Sequence, residues 1–238
     1  MKKIFSILLV FFTANVMYAQ NEVVVDPNAT IRTGIGNFKA IKISGGIDLY
    51  ISQSENEAVA VSAASEKLKE GIKTNIENGI LKIYYDGDKN WKYKDRKLRV
   101  YVSFVNLENI NASGACDVIV SGSITVTSLV IQLSGACDFK GMVKVSTLKL
   151  NLSGASDVKI SGTANTVEIE SSGASDVKGY DLVTDICNAK ANGASDINIT
   201  VNGELNATAT GASDINYKGK ALIKNKHSSG ASSISRKD

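Results

Sequence analysis

Six aspartates recur at near-constant spacing in the second half of this 238-residue chain: Asp117, Asp138, Asp157, Asp176, Asp196 and Asp214. Each closes a Gly-Ala-(Cys/Ser)-Asp tetrapeptide, begun by Gly114, Gly135, Gly154, Gly173, Gly193 and Gly211, and a degenerate Gly-Ala-Ser-Ser copy begins at Gly230. Carboxylates brought into one row are hard oxygen ligands of the kind calcium takes. Without a counter-charge they repel, by about 1 kcal/mol per neighbouring pair in water at a strand spacing of roughly 4.8 Å, and by several times that near a protein surface. Two arrangements relieve the repulsion. One is a metal ladder; the other is a structural ladder in which each carboxylate accepts backbone N–H groups of its own turn. Lys140, Lys159 and Lys178 follow two positions on, hence on the same face, and favour the structural, metal-free ladder. Calcium is the one cofactor to be weighed against none. A second calcium-like string, Asp86-Gly87-Asp88-Lys89-Asn90, has Trp91 and Lys97 where the EF-hand pattern requires Gly and Glu, so it reads as a flexible hairpin tip.

That same tip supplies the best candidate interaction patch. Tyr85, Trp91, Tyr93 and Arg96 lie together with Tyr84, Tyr101 and several lysines, and Trp, Tyr and Arg are the residue types that anchor partners or stack on sugars. The ordinary alternative is that Tyr84 and Tyr101 pack across paired strands and the lysines are solvated.

Cys116 and Cys137 occupy the same motif position in consecutive repeats, so stacking would bring their Cα atoms near the roughly 5.5 Å typical of a disulfide. Serine fills this position elsewhere, and parallel side chains aim poorly at one another. Two buried thiols in serine's place is therefore the preferred reading, with a disulfide as the alternative. Cys187 falls among core residues.

The rest of the catalytic vocabulary is thin. One histidine, His227, and three cysteines give no zinc cluster and no Cys-His nucleophile. The repeats contain no arginine to serve a polysaccharide lyase, and their aspartates are spread evenly instead of clustering in one groove. No catalytic residue is assigned. The expectation is a non-enzymatic protein, with a lyase-like β-helix enzyme as a remote alternative.

The elements that would position these residues follow from the repeat. Its intervals are 21, 19, 19, 20, 18 and 19 residues. Before each glycine, inward positions alternate, as in Leu129, Ile131, Leu133 and Leu148, Leu150, Leu152; after each Asp comes another apolar residue, from Val118 to Ile234. Period two means strands. A second glycine follows in six repeats, so thirteen of the twenty glycines mark two turns per coil. Coils that return to one register stack as parallel strands, which predicts an all-β right-handed parallel β-helix over residues 106–235. Residues 34–105 read as a hairpin-rich N-terminal β region, with strands at Phe38–Ile43, Ile47–Ile51, Val59–Val61, Ile72–Ile76 and Ile80–Tyr85, a helical turn at Ser65–Glu70 and an Asn78-Gly79 hairpin. Ser44-Gly45-Gly46-Ile47-Asp48 is a distant version of the motif.

Residues 1–19 have the form of a secretory signal peptide: Lys2 and Lys3, an apolar run from Ile4 to Phe12, and Ala19 at the cleavage point. The run is shorter than the roughly 20 residues of a membrane span, and residues 20–33 read as a linker. Removing Lys2 and Lys3 lowers the formal charge of +3 by two, which leaves no overall case for nucleic acid or an anionic membrane as partner.

The segment Gly36 to Asp48, followed by a tail of Ser-Gly-Ala-Ser-Asp coils, resembles the secreted bacterial proteins called putative auto-transporter adhesins, head GIN domain, over roughly Gly34 to Ser233. The resemblance implies an exported β-helical protein of Gram-negative bacteria with a role in surface attachment, and it carries over no catalytic residues. The expected function is that of a cell-envelope protein, an adhesin or interaction module of the periplasm, outer surface or exterior. Its partner would be an unknown protein or glycan, with a glycan-binding module as the alternative; the sequence leaves the oligomeric state open.

Overall fold

The computed structural model describes residues 26–87 and 96–237. The expected signal peptide, the start of the linker, Asp88 to Asn90, Trp91 and Tyr93 lie outside the described residues.

Sixteen strands and one short helix follow in order: β1 (Thr30–Arg32), β2 (Ala40–Gly45), β3 (Asp48–Gln53), β4 (Ala58–Ser62), α1 (Glu66–Gly71), β5 (Ile72–Glu77), β6 (Ile80–Tyr85), β7 (Arg99–Phe104), β8 (Asn109–Gly114), β9 (Asp117–Gly135), β10 (Asp138–Gly154), β11 (Asp157–Ser171), β12 (Asp176–Gly193), β13 (Asp196–Gly211), β14 (Asp214–Lys218), β15 (Leu222–Gly230) and β16 (Ser233–Arg236). The long strands β9 to β13 each run from one motif to the next and pair in parallel, motif residue on motif residue: Asp117, Asp138, Asp157, Asp176, Asp196 and Asp214 are successive partners. The chain is a β-solenoid of about 7 turns at about 19-residue spacing. Coils of 18 to 21 residues are accommodated by register shifts away from the motif, such as those between Lys140 and Met142 and between Gly179 and Val183.

Each coil has an entry run after the Asp and a return run before the next Gly. Inward residues of both are buried in one continuous core, among them Val118, Phe139 and Ile197 of the entry runs and Ile131 and Leu150 of the return runs. Burying a Leu, Ile or Phe contributes roughly 1.5–3 kcal/mol, so every coil needs its neighbours for stability. The alanines that replace leucine late in the solenoid, Ala189, Ala191, Ala207 and Ala209, are still almost fully buried.

The corner is made by glycine stacked on glycine. Gly135 has φ +91°, and a Cβ there would lie 2.4 Å from the carbonyl oxygen of Gly114. That approach lets the following N–H reach across: Ala136 donates to Gly114 O at 2.7 Å, and Ala155, Ala174, Ala194, Ala212 and Ala231 repeat the bond down the axis.

The N-terminal part is continuous with this stack. Gly45, with φ +101°, sits under Gly114, and Ala115 donates to Gly45 O. β2 pairs with β8 and β3 with β9, so Gly45 to Asp48 is a true coil. On its far side β6 stacks on β2 and β7 on β3, both in parallel. β6 therefore lies on one run of the coil and β7 on the other. This corrects the expected hairpin: β6 and β7 do not pair with each other, because each finds its partner on a different run of the neighbouring coil. The Asn78-Gly79 hairpin does form, with both residues at positive φ (52° and 72°) between the antiparallel β5 and β6. Ser65 caps α1 by accepting from Leu68 N. Arg32 donates to Lys69 O and Ile72 O, fastening the helix to the end of the solenoid.

Candidate interaction surface

The outward side of the return runs carries three polar ladders side by side. Register places Asn109, Val130, Lys149, Glu168, Asn188, Asn206 and Asn225 in one; Asn111, Gln132, Asn151, Glu170, Lys190, Thr208 and His227 in the next; and Ser113, Ser134, Ser153, Asn192, Thr210 and Ser229 in the third. Alternation in the strand puts them all outside. Hydrogen bonds run from coil to coil: Asn111 Nδ2 to Gln132 Oε1 (3.1 Å), Asn206 Nδ2 to Asn188 Oδ1 (2.8 Å), Asn225 Nδ2 to Asn206 Oδ1 (2.7 Å) and Thr210 Oγ1 to Asn192 Oδ1 (2.6 Å). Two ion pairs, Lys149–Glu168 and Lys190–Glu170, join the same ladders. Gln132, Asn151, Glu170, Lys190 and Asn192 line a shallow groove of about 570 Å³, and the buried Oδ1 of Asn151 has no protein partner. The ladders contain no Phe, Tyr or Trp. What this surface can do chemically is donate and accept hydrogen bonds along several coils.

The aspartate ladder lies on the outward side of the entry runs and begins one coil earlier than the regular motif shows, at Asp48. Three of its carboxylates, those of Asp157, Asp196 and Asp214, find partners in the next coil. Asp196 accepts from Asp214 N (3.2 Å), and Asp214 from the N–H and hydroxyl of Ser233 (3.0 and 2.7 Å). The expected bonds within the same turn are replaced in these coils by bonds to the next, because stacking aims its N–H at the carboxylate below. Lys178 Nζ reaches Asp157 Oδ2 at 2.8 Å, likewise in the neighbouring coil. Burial, then the charge of Asp138, raises the pKa of Asp117; burial, then Asp176 and Asp214, raises that of Asp196. Among the described residues no three His, Cys, Asp or Glu side chains gather closely enough to hold a metal ion.

Of the aromatic patch, Tyr85 packs its ring against Gly71, and the Arg96 guanidinium lies 5.5 Å from that ring's centre. Tyr101 stacks on Tyr50, centroids 5.2 Å apart, rather than packing against Tyr84, which lies opposite Lys73. Tyr101 Oη donates to Asp26, and burial together with that carboxylate pushes its pKa up to about 12. The Tyr50–Tyr101 pair was readable only by aligning Asp48 with Arg99, two segments with no shared motif.

Cys116 and Cys137 are free, buried thiols. Each Sγ faces the carbonyl three residues back, Ser113 O (3.3 Å) and Ser134 O (3.4 Å), as the hydroxyls of Ser156, Ser195 and Ser213 do in their own turns.

The family described as "putative auto-transporter adhesin, head GIN domain" matches residues 37–221. The chain belongs to this family. The matched span of this head GIN-domain protein runs from the start of the Gly45 coil into the coil that ends the solenoid. Crystal structures share the fold at low identity. A "putative adhesin" from Bacteroides fragilis NCTC 9343 has a TM-score of 0.77 at 20% identity, covering 89% of this chain and 98% of that one. One from Parabacteroides distasonis ATCC 8503 gives 0.69 at 19%, covering 87% and 96%. A "putative lipid binding protein" from the same organism gives 0.65 at 21%, covering 90% and 98%. No curated protein sequence matches the chain. No helix among the described residues is long and apolar enough to cross a membrane.

Proposed function

We infer that this head GIN-domain protein is an exported, non-enzymatic adhesin of the cell envelope, and that its working surface is the polar outer face of the return runs. The observation that carries this reading is the set of three in-register ladders of Asn, Gln, Ser, Thr, Lys and Glu over successive coils. A surface of this kind recognises an extended partner by many repeated hydrogen bonds. The leader-like residues 1–19 and the family's description support export and attachment. The even distribution of the motif carboxylates along the coils supports binding without chemistry.

A glycan is the partner class favoured by one specific feature, the shallow groove lined by Gln132, Asn151, Glu170, Lys190 and Asn192, whose amide, carboxylate and ammonium groups match the donors and acceptors of sugar hydroxyls. The test is binding of the purified protein to intact cells and to a panel of immobilised glycans, alongside a Gln132→Ala/Asn151→Ala/Lys190→Ala variant. Loss of binding in the variant with an unchanged melting point is expected. Full binding by that variant would place the working surface elsewhere.

A further inference from the structure

The chain's modest net charge conceals a segregated one. Six Lys and Arg and no Asp or Glu lie from Ile215 to Lys237, in a chain whose formal charge is +3, so the remainder is acidic in balance. This segment spans β14, β15 and β16 at the end of the stack, where β15 pairs only with β13, and β16 only with β14; among the described residues no strand covers the far edges of β15 and β16. The inward columns also change character here. Lys226 stands in register with Ala207, and Arg236 in register with Tyr217 above Ile199, so two columns that are apolar through the solenoid end in exposed cations. Lys224 occupies the bulge between Ile223 and Asn225; it pairs with Glu204, leaving Lys220, Lys226 and Arg236 exposed with Lys237. Between Lys220 and Lys224 sits Leu222, 59% exposed and the most exposed large hydrophobic residue of the described chain.

Cations at a strand edge guard against further pairing. That role accounts for the lysines and not for an unburied leucine among them. A leucine flanked by lysines matches the interfacial pattern in which an apolar side chain enters the headgroup region while cations meet lipid phosphates. We propose that the C-terminal end of the solenoid docks on an anionic lipid surface through Leu222 and the cations around it. The solenoid would then stand on a membrane by its end, with the return-run face presented sideways. This docking is independent of what the polar face binds.

The test uses the chain from Gln20 onward, which keeps every described residue, in co-sedimentation with vesicles of phosphatidylglycerol and phosphatidylcholine. Binding is expected with the mixed vesicles and should weaken about tenfold or more with phosphatidylcholine alone or at high salt. Lys220→Glu/Lys226→Glu should lower it by a similar factor. Leu222→Ser should weaken binding while keeping its dependence on phosphatidylglycerol, and Lys140→Glu/Lys159→Glu, on another face, should leave it unchanged. The proposal is overturned if the mixed vesicles are not bound, if the end variants bind as the parent does, or if the end variants change only self-association in sedimentation velocity, which would make the cations edge guards alone. Capture by an acidic polysaccharide without vesicle binding would equally overturn it. Loss of glycan or cell binding in the Gln132/Asn151/Lys190 variant with vesicle binding intact would touch the polar face only.

Discussion

The Sγ atoms of Cys116 and Cys137 lie 3.2 Å apart, one coil above the other, inside a column that serine fills in the later turns. The hydrogen bond between the two sulfurs couples their ionisation, lowering the Cys137 thiol and, with burial, raising that of Cys116; Cys187, alone in the core, is raised to about 12 by burial. Because serine makes the same bond to the carbonyl three residues back, Cys116→Ser/Cys137→Ser should change stability by less than about 1 kcal/mol. Cys137→Leu should cost about 1–3 kcal/mol by overpacking. Denaturant unfolding of the three proteins reads both.

Glycine substitutions should separate two costs. At Gly135 an alanine meets both a positive φ and the Gly114 carbonyl, so Gly135→Ala should destabilise by more than about 2 kcal/mol. Gly122 has φ +79° with nothing within 4 Å of a Cβ, so Gly122→Ala should cost only the left-handed penalty, about 1 kcal/mol. Equal losses at the two sites in denaturant melts would contradict the stacked-corner account.

The aspartate ladder sets a pH dependence whose sign is fixed. Asp117 and Asp196 have folded-state pKa values raised above 3.8, so the folded chain binds protons more tightly than the unfolded one. Their contribution destabilises at neutral pH and is relieved as pH falls through the raised values toward 3.8. Asn keeps an oxygen for the Asp214 N–H, so Asp196→Asn should stabilise at pH 7 by about 0.3 kcal/mol after solvent screening, and the gain should vanish below pH 3.8. Thermal melts across pH measure it.

Calcium should not alter the melting temperature. Asp196 and Asp214 already accept N–H groups from the next coil, and Asp157 is paired with Lys178 of a neighbouring one. A large upward shift on adding calcium, reversed by chelation, would return the ladder to the metal reading.

Much of the solenoid was legible because its information is local and repeated. The Gly and Asp spacing specifies register, and Asp138 does pair with Asp157, just as Leu150 pairs with Ile169. Ser65 and Asn78-Gly79 were legible for a similar reason, since a cap and a tight turn are encoded within a few residues. The separate placement of β6 and β7 was not. Whether β6 and β7 pair together or stack on β2 and β3 depends on contacts with residues far along the chain, and a single copy offers no spacing to read. Counting charges over the whole chain similarly hid the cationic end, which appears only when Lys226 and Arg236 are placed in register with Ala207 and Tyr217.

Gly45 rests directly on Gly114 although β3 to β7 intervene between them in sequence. For a chain that crosses a membrane N-terminus first, the segment that arrives earliest can stack on β6 and β7 but lacks its partner on the other side until β8 and β9 have followed. Its apolar residues Ile41, Ile43, Leu49 and Ile51 then wait covered on one side only, and assembly gains speed once the later coils, which contact only their neighbours, begin to add one upon another.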